Sequence, residues 1–170
     1  MLKLLGAGLV AGASMIIGLS AGRELRRSIR RLQQLQLAME LMESEMELNM
    51  LPLPELFEGV GKWLGGTVGQ LLEGTAVNMS AVSGRPPQTA MKIQLEEMPG
   101  SFSAREKGML LELCGCLGRY DLRGQARALG IFKSRFGAMI LRRENEAKTK
   151  GRAWLTASLC GGLAVVVILI

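Results

Sequence analysis

Residues 154–170 read WLTASLCGGLAVVVILI and carry no charge, and Arg142, Arg143, Lys148, Lys150 and Arg152 stand just upstream. Crossing the hydrocarbon core of a bilayer takes roughly 17–25 apolar residues at about 1.5 Å of rise each. This run meets that length, and Trp154 sits where an interfacial aromatic belongs. A helix on the surface of a soluble core needs a polar stripe to meet water, and the closing V-V-V-I-L-I has none. A membrane span over 153–170 is therefore expected.

The other end repeats the pattern. Residues 4–22 are free of charge and rich in Gly and Ala, and Arg23, Arg26, Arg27, Arg30 and Arg31 follow at once. A cleaved signal peptide would carry its positive charge before the apolar run; here nearly all of it comes after, so 1–22 reads as a retained span. Gly6, Gly8, Gly12 and Ser14 fall at spacings that let membrane helices approach closely. Lys and Arg beside a span stay on the cytoplasmic side. Both basic clusters lie on the inner flanks, so residues 23–152 are expected in the cytoplasm with both termini outside. A basic ring at that position also attracts anionic lipid headgroups.

The formal charge of +6 suggests nucleic acid at first sight. Most of the excess lies in the two flanking clusters, and aromatics make up only 4% of the chain, which leaves few platforms for base stacking. No nucleic-acid partner is expected. There is no histidine, so the commonest general base and metal ligand are missing. Cys114 and Cys116 point to different faces of a helix and Cys160 lies in the C-terminal apolar run, which makes neither a metal site nor a disulfide framework. Neither metal nor cofactor is expected, and no spacing singles out a carboxylate pair or lysine for catalysis, so the chain reads as a non-enzyme.

The middle of the chain reads as helices throughout. Residues 23–49 contain no Pro or Gly, and Leu25, Ile29, Leu32, Leu35, Met39, Met42 and Met46 step by three or four, which makes a core stripe. Leu37, Leu41 and Leu48 suggest a second buried strip. Glu40, Glu43, Glu45 and Glu47 read as a solvated face. After Leu51-Pro52-Leu53-Pro54 a short helix is expected over 55–64, with Leu56, Phe57, Val60 and Leu64 apolar and Gly65-Gly66 ending it. A third helix over 67–82 turns Val68, Leu71, Leu72 and Val77 inward, weakened by Gly69 and Gly74. Ser83-Gly84-Arg85-Pro86-Pro87 is a loop, and 89–98 a fourth helix. Ser103-Ala104-Arg105-Glu106 is a capping-box pattern that opens a fifth helix ahead of Met109, Leu110 and Leu113. Asp121 reads as the cap of a sixth, whose stripe of Leu122, Ala126, Leu129, Phe132, Phe136, Met139 and Ile140 runs on toward Trp154 with room for a kink at Gly151. No segment alternates long enough for a strand. The fold class is all-α: an antiparallel bundle of about six helices in a soluble domain over 23–152, between terminal transmembrane helices.

Several stretches, taken in order, resemble the stage III sporulation protein AB family of endospore-forming bacteria. They are the two charge-free ends, the basic turn after the first, Leu32-Gln33-Gln34-Leu35-Gln36 leading into Leu41-Met42-Glu43-Ser44-Glu45, Pro52-Leu53-Pro54-Glu55, and Leu117-Gly118-Arg119-Tyr120-Asp121 with Gln125 four residues on. The glycines over 59–74 and the many methionines depart from that pattern. The resemblance implies a platform subunit in the mother-cell membrane around the forespore, part of the channel complex that links the two cells. It also implies a bundle similar to the platform protein of type II secretion and type IV pilus machines, and as partners a cytoplasmic secretion-type ATPase and other membrane proteins of the channel. A membrane-anchored adaptor of a general secretion or pilus machine is the alternative, and a self-assembling homo-oligomer is a third reading. The turn with Arg119, Asp121, Arg123 and Gln125 is the candidate partner contact; a helix cap with solvated arginines explains the same residues.

Overall fold

The computed structural model describes the backbone of every residue except 1, 50, 83, 118–121 and 170, and the side chains of residues 24–49, 51–82, 84–117 and 123–149. Among the described residues there are six helices and no strand: α1 Leu2–Leu48, α2 Leu53–Leu64, α3 Gly66–Ala81, α4 Pro87–Glu97, α5 Ala104–Cys116 and α6 Leu122–Leu169. The chain divides into two compact units, one of Arg31–Ala138 and one of Met1–Arg30 with Met139–Ile170. Among the described residues no helix is long and apolar enough to cross a membrane. The side chains of the two expected spans, 1–22 and 153–170, lie outside the described residues, and so does the expected cap Asp121. The backbone of Gly151 lies within α6, which is assigned as one helix.

Within the unit Arg31–Ala138, α2 packs on α3, α3 on α4 and α4 on α5. The stripe on α1 forms one side of the core, with Leu32, Leu35, Met39, Met42 and Met46 all buried. Facing elements supply Leu56 and Phe57 from α2, Leu110 and Leu113 from α5, and Leu129, Phe132 and Phe136 from α6. Each such side chain, fully buried, is worth roughly 1.5–3 kcal/mol of transfer free energy. The second strip on α1 is not buried: Leu48 is 75% exposed and Leu37 stands at 36%. One apolar stripe already faces the core, so the opposite side of the helix meets solvent.

The helix ends follow local chemistry. Pro54 and Pro87 sit in the first turns of α2 and α4, where a missing N–H leaves no bond unmade. Ser103 caps α5 in a reciprocal capping box: its Oγ accepts from the Glu106 N–H at 3.3 Å, and Glu106 Oε2 accepts from the Ser103 N–H at 2.6 Å. Lys107 Nζ donates to the Leu95 carbonyl at 3.4 Å, in the last turn of α4. The joint between α2 and α3 is a single residue, Gly65, and both Gly65 and Gly66 have φ of +60°, a region that costs side-chain-bearing residues strain.

The glycines of low helix propensity in α2 and α3 are what let them meet. A Cβ on Gly69 would lie 2.6 Å from the Gly61 carbonyl oxygen, and one on Gly61 would lie 2.8 Å from Glu73 Cγ and 3.0 Å from the Gly69 oxygen. The two backbones touch at positions with no side chain. The inward face of α3 also differs from expectation at one residue. Val77 is 67% exposed, and Thr75, Ala76 and Met79 are buried instead. The 3.6-residue period through Val68, Leu71 and Leu72 leads to these, and places Val77 about half a turn away. Thr75 meets burial by donating its hydroxyl to the Leu71 carbonyl at 2.7 Å.

Candidate partner interface

The basic residues that flank the charge-free ends fall into two groups. Arg26, Arg27 and Arg30 are exposed on α1. At 100° per residue they share one side of the helix, away from half-buried Leu25 and Ile29. On α6, Arg142 and Arg143 both reach Glu146, at 3.4 and 3.6 Å, and Lys148 is exposed. Exposed pairs of this kind contribute about 0–1 kcal/mol; their effect here is to offset part of the positive charge on that flank. The side chains of Arg23, Lys150 and Arg152 lie outside the described residues.

Arg31 ends the same basic run but is used differently. Its Nη2 donates to Glu106 Oε2 at 3.3 Å, and its guanidinium lies 5.5 Å from the centre of the Phe102 ring. The Glu106 side chain is 1% exposed and that of Arg31 16%. A buried carboxylate is tolerable only when paired and hydrogen-bonded, and Glu106 has both the Ser103 N–H and Arg31. Among the described residues, Glu106 Oε1 and Arg31 Nε have no hydrogen-bond partner. Arg31 therefore ties α1 to the start of α5 from inside the compact unit. Sequence reasoning found the capping box but not this pair, because its members stand 75 positions apart.

Of the residues proposed at the interhelix turn, Arg119 and Asp121 lie outside the described residues. Arg123 is exposed on the first turn of α6, where a cation has no favourable dipole to meet. Gln125 is half-buried and engaged within the protein. The described part of the turn thus offers one outward cation.

A shallow groove of about 660 Å³ lies between the C-terminal part of α1 and the start of α6. Glu43 and Glu47 stand on one bank, and Arg127, Ile131 and Arg135 on the other, with Ala126, Gly130 and Ser134 between them. Those last three recur every fourth residue, so the floor is low where α6 carries almost no side chain. Lys133 donates to Glu43 at 3.0 Å, and that bond holds the lysine above its ordinary pKa. Arg135 leans to Glu112 on α5 at 2.9 Å and over the Phe132 ring at 5.0 Å. The acidic stretch read as a solvated face is thus partly paired across helices and partly the bank of this groove.

Cys114 is buried and Cys116 partly so. Burial, with the neighbouring Cys116, pushes the Cys114 thiol up to about 12, which keeps it protonated and inert at neutral pH. Among the described residues no group of three or more His, Cys, Asp or Glu is placed to hold a metal.

Comparison with known proteins places this architecture. The family profile for stage III sporulation protein AB matches residues 3–170. A solved structure of stage III sporulation protein AB has a similar fold, with a TM-score of 0.62 at 20% identity, covering 69% of this chain and 94% of that one. Comparison with curated proteins finds no match.

Proposed function

Because the chain belongs to the stage III sporulation protein AB family, we propose that it is a non-enzymatic platform subunit of the mother cell–forespore channel complex, anchored by residues 1–22 and 153–170 in the mother-cell membrane with residues 23–152 in the cytoplasm. In this role it couples a cytoplasmic secretion-type ATPase to the membrane proteins of the channel. The observation that carries the reading is the exposure of Arg26, Arg27 and Arg30 on one side of α1, directly after a charge-free run. Exposed cations there hold the flank on the cytoplasmic side and meet anionic headgroups. A helical unit with a well-filled core suits a mechanical coupler, since close-packed interiors transmit displacement. The ATPase contact is assigned to the start of α6, where Arg123 is outward.

Two measurements test this. Single cysteines at Ser83 and at the C-terminus, in a chain lacking Cys114, Cys116 and Cys160, are treated with an impermeant thiol reagent. Labelling at Ser83→Cys only after permeabilisation, with the C-terminal probe labelled in intact cells, is the expected result. Labelling at Ser83→Cys from outside removes the ATPase from reach and sinks the coupling role. Co-purification of the ATPase with the full chain, lost on Arg123→Glu while helicity is unchanged, assigns the contact; retained binding moves it elsewhere.

A further inference from the structure

The groove between α1 and α6 has a charge arrangement that its own fold does not use up. Glu43 is met by Lys133 and Arg135 by Glu112. Glu47 and Arg127 face solvent with no ion pair among the described residues, one on each bank. On the Arg127 bank Ile131 is 50% exposed, a large apolar side chain beside a floor lowered by Gly130 and Ser134. A partner helix of one charge sign would satisfy one bank and be repelled by the other. A surface that is negative on one side and positive on the other complements itself under a two-fold rotation about an axis along the groove. Such an isologous interface sets residue i against j and j against i.

We propose that this groove is where a second copy of the chain docks, with Glu47 of each copy against the partner's Arg127 and Ile131 of each copy covered by the partner's α1 bank. Ser134, near the midline, then lies close to its own counterpart. Small residues on the floor let the two α6 helices approach closely, and Ile131, covered once in each copy, adds apolar area to the interface. Arg123 stands one turn before Arg127 on the same side of α6, but the inference does not depend on the ATPase reading, since its readout is the mass of the chain alone.

The test is the mass of the full chain in detergent, measured across a range of protein concentration. Wild type is expected to be a dimer. Arg127→Glu alone and Glu47→Arg alone each place like charges across the interface twice and are expected to weaken the dimer at least tenfold. The double variant restores opposite charges and is expected to recover it. Both positions are exposed, so the single variants should keep wild-type helicity and melting. A Ser134→Cys chain lacking the three native cysteines is expected to form a disulfide between copies on mild oxidation, and to lose it with Ile131→Asp. A monomer at all concentrations overturns the proposal. So does a dimer that Arg127→Glu leaves intact, or a double variant that fails to recover.

Discussion

Two contacts inside the compact unit are made by opposite means. Where α1 meets α5, the longest side chains reach across: Arg31 extends to Glu106 and lies over Phe102. Where α2 crosses α3, Gly61 and Gly69 carry no side chain and bring backbone against backbone. The first contact is specific because a buried charge demands its counter-charge. The second is specific because nothing larger than hydrogen fits. The difference teaches that a bundle can hold its helices in register either by chemistry or by the absence of volume, and the two should fail differently under substitution.

The sharpest way to break the first contact is Arg31→Met, which strands the Glu106 carboxylate without its cation and should cost about 3–5 kcal/mol. Chemical denaturation of the full chain would show it; a loss below 1 kcal/mol would mean that the pair does not hold α1 to α5. Replacing both members, as Arg31→Met with Glu106→Leu, should recover much of that loss, apart from the lost cap. Next comes Gly69→Ala. A single methyl pressed against the Gly61 carbonyl should cost about 1–3 kcal/mol, although alanine is the better helix former. Gly59 provides the control, since a Cβ there meets nothing within 4 Å. Gly59→Ala should therefore stabilise by about 0.5–1 kcal/mol, and opposite signs at positions ten residues apart would isolate the crossing from helix propensity. Smallest is Arg30→Ala, exposed beside Arg31, expected within about 0.5 kcal/mol of wild type.

Thiol chemistry probes the same core from another direction. At pH 8 a maleimide should modify Cys116 well before Cys114 in a chain with Cys160 replaced, because the thiolate is the nucleophile and the Cys114 thiol is pushed up to about 12. Equal rates would show that α5 opens readily.

What could be read from sequence followed the strength of the periodic signal. On α1 five of the stripe residues, Leu32, Leu35, Met39, Met42 and Met46, are buried as their spacing predicts. The capping box at Ser103 and Glu106 was visible because it is a local pattern whose partners are three residues apart. On α3 the signal was thin: glycine, threonine and alanine occupy inward positions, so Val77 drew the eye to the wrong face while Thr75 and Ala76 took the core. Glycines in a helix look like weakness on a propensity scale, and only a neighbour's position reveals Gly61 and Gly69 as a contact. Of the candidate site, the flanking cations Arg26, Arg27 and Arg30 are outward, whereas Arg31, identical to them in the run, is committed to a residue far along the chain. Long-range charge pairing leaves no mark at either end that sequence spacing can detect.

The Gly61–Gly69 crossing has one more consequence. Most helix contacts are cushioned, because side chains can change rotamer and absorb a small shift between the helices. Bare backbone has no rotamers to change, so where the Gly61 and Gly69 backbones touch, a small shift of α2 has to be met by α3 itself.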